Sequence, residues 1–359
     1  MPMIEHSKYS SGLRILIGAA AFVIIIAGLY LAQSVVVLLL VSAFIALLGT
    51  PAVLWLKEKH IPSGFAVLIV MSCMIIILVL ISVQIGASFN NFSDELPLLQ
   101  SHIREQVKQL SIMLTGKGIA VSEKILLQYV NPEAIMKLTA GLLSGLGSLL
   151  SDIVLILLTV SFILLEVSSI PIKLRAILGD PKQVFPQFTK FIVDMKRYMV
   201  IKTLINLSAG VLITIWMTIL GVQFPILWGF LAFLLHYIPN IGSVIAAIPA
   251  ALLALIQLGM GSALLVIAGN VLIGFIIGNV IEPRLMGRKF GLSTLAVFLS
   301  LIFWGNLLGL IGAILCIPLT MTLKFVFENN DKTLWIALLL GTEKLDNKFK
   351  LFKKKKLEV

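Results

Sequence analysis

Charged residues are scarce in this chain of 359 residues, of which only 13% carry a formal charge while 59% are hydrophobic. A soluble domain averages about 25% charged and about 45–50% apolar residues, so the composition excludes an ordinary soluble enzyme. Disorder is excluded as well, because disordered chains are poor in large apolar side chains. The composition is typical of an integral membrane protein.

Cysteine and histidine are also rare. The two cysteines, Cys73 and Cys316, lie in apolar runs, where a thiol is typically a small buried side chain. The four histidines have no metal-ligand spacing. The sequence contains no Gly-rich phosphate loop, no HExxH motif and no nucleophile elbow. It therefore predicts a protein that is not an enzyme, with no catalytic residues, no metal and no cofactor.

The net charge of +11 could indicate a nucleic-acid partner, but the basic residues do not form one face. They lie at the ends of apolar runs, which predicts contact with a lipid bilayer and no nucleic acid. Basic loops mark the cytoplasmic side of a membrane. Their alternation along the chain predicts that both termini are cytoplasmic and that the protein is multi-pass.

Uncharged stretches locate the membrane segments, because a charge in the bilayer core is costly. About 20 apolar residues are needed to cross a hydrocarbon core of about 30 Å. By this criterion about six full transmembrane helices are predicted. Two of them lie in 15–56, divided at Ala32-Gln33-Ser34, and the others lie in 61–93, 138–165, 203–222 and 261–281.

The alternation of apolar and polar stretches divides the chain into regions. Residues 1–93 form a frame of three transmembrane helices, 94–137 a small extracytoplasmic helical subdomain, and 138–165 the fourth transmembrane helix. Residues 166–202 form an amphipathic cytoplasmic arm, and 324–359 a cytoplasmic tail. Between the arm and the tail, 203–323 holds two units, each a helix followed by a hairpin.

The first hairpin is predicted from an apolar stretch that is too short to cross twice. Residues 225–257 are 33 residues with a break at Pro239-Asn240-Ile241-Gly242. Each half has about 15 residues, or about 22 Å of helix, against a core of about 30 Å. A re-entrant helical hairpin is therefore the favoured interpretation. The alternative is a pair of ordinary short helices with proline kinks.

Residues 290–323 repeat this pattern, with a break near Trp304-Gly305-Asn306. The order of the segments gives the two hairpins opposite orientations. The predicted fold is thus an all-α polytopic membrane protein with two opposed re-entrant hairpins and eight hydrophobic segments. Paired interrupted segments in corresponding halves are typical of the binding site of a secondary transporter. The predicted hinge residues are Pro239, Gly242, Gly305 and Pro318.

Several motifs resemble those of a known family. They are YIPNIGSVIAAIPA (237–250), EPRLMGRKFGLS (282–293), FLSLIFWGNLLG (298–309), YVNPEAIMKLTAGLL (129–143) and LTVSFILLEV (158–167). Together they resemble the autoinducer-2 exporter family of bacterial membrane transporters, although His236 stands where that family more often has asparagine. The resemblance implies a bacterial inner-membrane protein that exports the quorum-sensing signal autoinducer-2, a small polar furanone-type molecule.

Two other functions remain open. Proteins with the same motifs have been assigned sodium/proton antiport, although the stretch 203–281 lacks the carboxylates that an ion site needs. The second alternative is a membrane scaffold without transport activity, whose 94–137 subdomain binds partners.

The candidate site lies between the two hairpins and the helix at 261–281. Polar side chains at membrane depth are expensive and point to function. The predicted substrate-binding residues are His236, Asn240, Ser243, Asn270, Asn279 and Asn306. Glu282 and Arg284, which flank Pro283, are predicted to form a gate or an ion-coupling pair. The structural alternatives are a neutral hydrogen-bonded His236, Asn240 as a helix cap, and a Glu282–Arg284 salt bridge that fixes the linker.

Two opposed hairpins could move as one body against a fixed frame, by analogy with elevator-type carriers. Identical subunits usually close into rings. The expected assembly is a cyclic homo-oligomer built through the N-terminal helices, and the alternative is a monomer whose two halves rock against each other.

Overall fold

A computed structural model describes residues 11–80, 152–167, 186–239, 241–286, 292–329 and 333–341, with a few isolated positions between 83 and 141. These residues are helical apart from short turns and one isolated bridge between Leu292 and Gly341. The predicted all-α class is confirmed. The 94–137 subdomain, apart from isolated positions, lies outside the described residues, as do Asn240, residues 168–185 of the arm and most of the tail.

Within the described part of the chain we number twelve helices in order. They are α1 (Ser11–Leu31), α2 (Gln33–Glu58), α3 (Ser63–Leu80), α4 (Ile153–Val167), α5 (Pro186–Leu220), α6 (Pro225–Leu235), α7 (Gly242–Leu258), α8 (Met260–Ile276), α9 (Glu282–Met286), α10 (Thr294–Ile314), α11 (Cys316–Glu328) and α12 (Leu334–Leu340). A π-helical turn, Ile277–Ile281, joins α8 to α9.

Five of the described helices are long and apolar enough to cross a membrane. They are Gln33–Glu58, Ser63–Leu80, Phe188–Leu220, Met260–Leu285 and Thr294–Ile314. Four further apolar helices are shorter: Leu16–Leu31, Ile153–Glu166, Pro225–Leu235 and Gly242–Leu255. Large apolar side chains such as Phe22, Phe162 and Leu272 are exposed on the outside of the bundle, where lipid would cover them.

The N-terminal helices α2, α3 and α4 pack into a bundle with its own apolar core. Val53, Ala66 and Val160 are buried at its centre. Ser42 of α2 donates a hydrogen bond to the carbonyl of Ile156 in α4, with an O···O distance of 3.4 Å. The polar break at Ala32 separates α1 from α2, as the sequence predicts.

The second bundle is built on α5, which runs without interruption for 35 residues through the predicted boundary at 202/203. Helix α6 packs antiparallel to it, and Gly210 and Gly229 let the two backbones approach closely. Helix α8 also lies antiparallel to α5, because the Trp216 indole donates to the Leu265 carbonyl near one end and Lys202 contacts Glu282 near the other. Helix α7 completes the bundle against α8.

The first hairpin consists of α6 and α7, joined by residues 236–241. The break therefore falls where Pro239 and Gly242 predict it. A Cβ atom on Gly242 would overlap the carbonyl oxygen of Leu235, so the return helix passes directly against the end of α6. At the turn, the Tyr237 and Thr203 hydroxyls share a hydrogen bond of 2.6 Å, which ties the tip to α5.

The second hairpin consists of α10 and α11, and its break differs from the prediction. The helix continues through Trp304, Gly305 and Asn306 and bends at Gly309, whose φ of 65° and ψ of −147° are accessible essentially only to glycine. A further interruption at Leu315 precedes α11. Pro318 lies in the first turn of α11, where its missing N–H removes no helical hydrogen bond.

The two hairpin tips share one detail of construction. A Cβ atom on Gly312 would overlap the carbonyl oxygen of Trp304, as one on Gly242 would overlap that of Leu235. Each tip thus places a glycine of the returning chain against a carbonyl of the incoming helix. Ile314 and Leu315 of the second hairpin belong to the same apolar core as Tyr237 and Ile238 of the first tip.

Candidate functional site

A buried ion pair joins α5 to α9. Lys202 Nζ lies 2.8 Å from both carboxylate oxygens of Glu282, and the two side chains are only 5% and 25% exposed. A buried charge must be compensated by a partner, and this geometry compensates both. The partner of Glu282 is therefore Lys202, which is 80 residues away in the chain. Its near neighbour Arg284 is exposed.

The π-helical turn before Glu282 sets where this carboxylate points. The Glu282 N–H donates to the carbonyl of Ile277, five residues back, and Pro283 has no N–H to continue the normal ladder. Within the same turn, the side-chain amide of Asn279 donates a hydrogen bond to the Phe275 carbonyl, with an N···O distance of 3.2 Å. Asn279 is exposed, so the structure does not bring it to the ion pair.

His236 lies at the tip of the first hairpin, with a side chain that is 9% exposed. Its Nδ1 is 2.8 Å from the Ala232 carbonyl oxygen. Because a carbonyl only accepts, Nδ1 carries the hydrogen and the Nε2 of the neutral ring is an acceptor. That Nε2 is buried and has no hydrogen-bond partner among the described residues.

Gly274 of α8 is the point where His236 and Ser243 meet. A Cβ atom placed on Gly274 would lie 2.5 Å from Ser243 Cβ, 2.6 Å from Ser243 Oγ and 3.7 Å from His236 Nε2. The absence of a side chain at Gly274 therefore lets the first hairpin rest on α8. The structure thus brings together two of the predicted substrate-binding residues.

Two buried asparagines extend this polar region. Asn270, one helical turn from Gly274, is fully buried and donates to the Val266 carbonyl at 2.9 Å. Its Oδ1 has no partner in the part of the chain that the structure describes. Asn206, one turn from Lys202 on α5, is also fully buried, and neither its Nδ2 nor its Oδ1 is hydrogen-bonded within the described residues.

Asn306 and Asn240 are not brought to this region by the described structure. Asn306 is exposed and lines a groove of about 750 Å³ between α1 and α10, together with Phe22, Tyr30 and Phe303. Asn240 lies outside the described residues. The predicted role of each in binding stays a prediction.

Sequence reasoning missed Lys202 and Asn206. The uncharged run begins at residue 203, so the predicted boundary assigns Lys202 to the cytoplasmic arm. Asn206 lies inside the run and is not among the predicted site residues. A usable signal is present, because Lys202, Asn206, Gly210 and Thr214 follow one another at every fourth residue. A polar and small stripe on an otherwise apolar helix marks the face that packs against protein rather than lipid.

The assembled site is a buried polar column between α5, the tip of the first hairpin and α8. It contains one compensated ion pair, one imidazole and two carboxamides. Among the described ranges no three His, Cys, Asp or Glu side chains come close enough to hold a metal ion. The column can therefore offer hydrogen bonds to a small polar molecule.

Interrupted helices around buried polar residues are typical of membrane transporters. This chain is a member of the AI-2E family of transporters, whose family model matches residues 20–331. The resemblance drawn from the motifs is thus confirmed. Membership also makes the chain a multi-pass protein of the bacterial inner membrane.

Three relatives illustrate the extent of the similarity. The AI-2 transport protein TqsA of Escherichia coli K12 is 40% identical over 331 residues, covering 92% of this chain and 96% of the relative. The putative transport protein YhhT of the same organism is 35% identical over 331 residues, covering 92% and 95%. A putative transport protein of Haemophilus influenzae is 34% identical over 334 residues, covering 91% and 96%.

Proposed function

We propose that this protein is a secondary transporter that exports autoinducer-2 or a related small polar metabolite. The observation that carries the proposal is a set of buried hydrogen-bonding atoms on α5 (Asn206), at the tip of the first hairpin (His236) and on α8 (Asn270), which lack partners within the described residues. Buried polar groups in native proteins are nearly always satisfied, so these atoms are suited to a polar molecule that enters and leaves. The relative TqsA, named an AI-2 transport protein, supports the choice of substrate.

The Lys202–Glu282 pair is proposed as a gate at one end of this site. It links α5 to the chain leaving α8, so movement of α8 relative to α5 would have to separate the two charges. Because the two charges compensate each other when they are in contact, the contact stabilises the closed state of the gate.

We further propose that both hairpins are re-entrant, with Pro239 and Gly242 as the hinge of the first, and that both termini are cytoplasmic.

Uptake of labelled autoinducer-2 into inverted membrane vesicles tests this function. Vesicles that contain the protein should accumulate the label above vesicles from cells that lack it, and an ion gradient should change the rate. Equal accumulation in the two preparations would contradict the proposal. Sodium-driven proton flux that is lost in Glu282→Gln, with no autoinducer-2 uptake, would instead support the antiporter.

A cyclic homo-oligomer assembled through the N-terminal helices is proposed as the working unit. A moving hairpin unit needs a stationary support, and α1 presents a largely exposed apolar surface that a neighbouring copy could cover. Native mass spectrometry in mild detergent should show one defined multimer. A monomer that retains full transport activity would contradict this arrangement.

A further inference from the structure

Asn206 is the most poorly satisfied buried side chain in the described structure. It is fully buried in α5, and both its amide nitrogen and its carbonyl oxygen lack hydrogen-bond partners within the described residues. More than about 90% of buried polar groups in native proteins have a partner, and each exception needs an explanation. The family assignment and the sequence motifs give no role to this residue.

The contacts of α5 place Asn206 at the seam between the first hairpin and α8. Lys202, one turn before it, contacts Glu282 beyond α8, while Thr203 contacts Tyr237 at the hairpin tip. Gly210, one turn after it, lies against Gly229 of α6. Residues four apart on a helix face the same side, so the Asn206 carboxamide lies between these contacts.

The unsatisfied atoms near this seam are mostly hydrogen-bond acceptors. His236 Nε2 accepts, because its Nδ1 hydrogen is held by the Ala232 carbonyl. Asn270 Oδ1 accepts, because its own amide is held by the Val266 carbonyl. Asn206 offers one further acceptor and its NH₂ group. A molecule that carries several hydroxyl groups supplies the donors that this arrangement lacks.

The charges of the site oppose an ionic ligand. In the closed pair, Lys202 and Glu282 neutralise each other at 2.8 Å, so neither charge compensates an anion or a cation bound at the seam. An ion that moves into a buried site without a compensating charge loses its hydration energy, and no new interaction offsets this loss. The side chains described around the seam thus favour an uncharged ligand.

We propose that Asn206 is a binding and specificity-determining residue that, with His236 and Asn270, selects an uncharged, hydroxyl-bearing molecule over an anion or a metal cation. This inference rests on the proposed transport function, because it assigns the ligand class of the same site. Its structural alternative is that Asn206 is bridged only by permanently bound water and has no contact with the transported molecule.

Replacement by leucine separates these possibilities, because Leu has a similar size and needs no hydrogen bonds. In purified full-length protein without ligand, Asn206→Leu should keep or raise the melting temperature, since an unsatisfied polar group is replaced by an apolar one. Transport of autoinducer-2 into inverted vesicles should nevertheless fall at least about tenfold, since binding contacts are lost. Asn329→Leu is the matched control, because Asn329 is exposed at the end of α11 and bonds only locally to Phe325.

A binding measurement keeps the inference testable even if autoinducer-2 is not transported. The melting temperature of the wild type and of Asn206→Leu is measured with autoinducer-2, D-ribose, ribose 5-phosphate and sodium chloride. The uncharged probes should stabilise the wild type and the Asn329→Leu control, and should have little effect on Asn206→Leu. Stabilisation without transport would preserve the inference and remove the proposed function.

Three results would overturn the inference. One is a wild type that neither uncharged probe stabilises, and another is stronger stabilisation by the phosphate or by sodium. The third is an equal shift in Asn206→Leu and the wild type, which would make Asn206 a structural residue.

Discussion

The two hairpins are similar in backbone and different in polar content. Both place a glycine against a carbonyl at the tip, Gly242 against Leu235 and Gly312 against Trp304. In the second hairpin the buried polar side chains satisfy one another. The Trp304 indole donates to Thr320 at 3.1 Å, and Thr320 donates in turn to Ser300 at 2.8 Å.

In the unit that contains the first hairpin, several buried polar atoms have no hydrogen-bond partner among the described residues. Asn206, His236 and Asn270 all lie there, as does Gln257 near the opposite end of the same bundle. Satisfied networks make a packed core rigid, whereas unsatisfied groups are costly unless a ligand or water completes them. The difference supports the proposal that the α5–α8 bundle binds the transported molecule and that the second hairpin stabilises this bundle. Two hairpins of similar shape would then have different tasks.

The largest expected effect concerns the ion pair of the α5–α8 bundle. Glu282→Ala leaves Lys202 as an uncompensated buried charge, which should lower the free energy of unfolding by about 3–5 kcal/mol. Removing both charges in Lys202→Met/Glu282→Leu should recover most of that loss while transport stays impaired. Thermal unfolding in mild detergent, together with vesicle transport, measures both.

Glu328→Ala is the control for this prediction. It removes a more exposed partner of Lys324, at 4.0 Å, and should cost less than about 1 kcal/mol. A cost for Glu282→Ala no larger than that of the control would show that the Lys202–Glu282 pair is not structurally important. A double variant as unstable as the single one would contradict the charge-compensation argument.

The second prediction tests whether the two tips are equivalent. Ala at Gly242 or at Gly312 would force a methyl group into a backbone carbonyl, at a cost of about 1–3 kcal/mol in each case. Gly305→Ala should be neutral or stabilising, because a Cβ atom there would meet only Ala313 at 3.7 Å. The melting temperatures of the three variants test whether the two tips are built alike. A Gly312→Ala variant as stable as Gly305→Ala would contradict their equivalence.

The smallest effect concerns the anchor of the first tip. Tyr237→Phe removes the 2.6 Å hydrogen bond to Thr203 and should cost about 0.5–1.5 kcal/mol, since Thr203 also bonds to the Met199 carbonyl. The second hairpin has no contact of this kind to α5 among the described residues, so its dynamics should not change. Amide hydrogen exchange should therefore increase at 236–238 and stay constant at 309–315. Equal increases in both would show that the loss spreads through the apolar core that the two tips share.

The all-α class could be predicted from the composition, and the first hairpin from the local break in its apolar stretch. Residues 225–257 contain Pro239 and Gly242 close together, and the turn lies there. The sequence predicts the second break near Trp304–Asn306, but the helix continues through these residues and bends at Gly309 instead. Gly305, Gly309 and Gly312 lie close together in this stretch. The sequence alone does not show which of them adopts a positive φ.

The pairing within the site was less predictable, because it joins distant parts of the chain. Local spacing suggested Arg284 for Glu282, whereas folding brings Lys202 from 80 residues away. His236, Ser243 and Asn270 could be selected as polar residues at membrane depth. The four-residue spacing from Lys202 to Thr214 marks the face of α5 on which Asn206 lies, but only the folded bundle shows that Asn206 is buried without hydrogen-bond partners among the described residues.

The most direct test of the account compares one buried polar residue from each unit. Asn270→Leu removes an unsatisfied acceptor from the α5–α8 bundle, and Thr320→Val removes the centre of the satisfied network in the second hairpin. Transport rate per folded protein and melting temperature are measured for both variants in the same vesicle preparation and detergent.

The account predicts opposite results for the two variants. Asn270→Leu should reduce transport at least about tenfold with an unchanged melting temperature. Thr320→Val should lose about 1–3 kcal/mol of stability, because it leaves the Trp304 N–H buried without its acceptor, and should transport normally. Normal transport by Asn270→Leu together with impaired transport by stable Thr320→Val would place the binding site in the second hairpin and contradict the account.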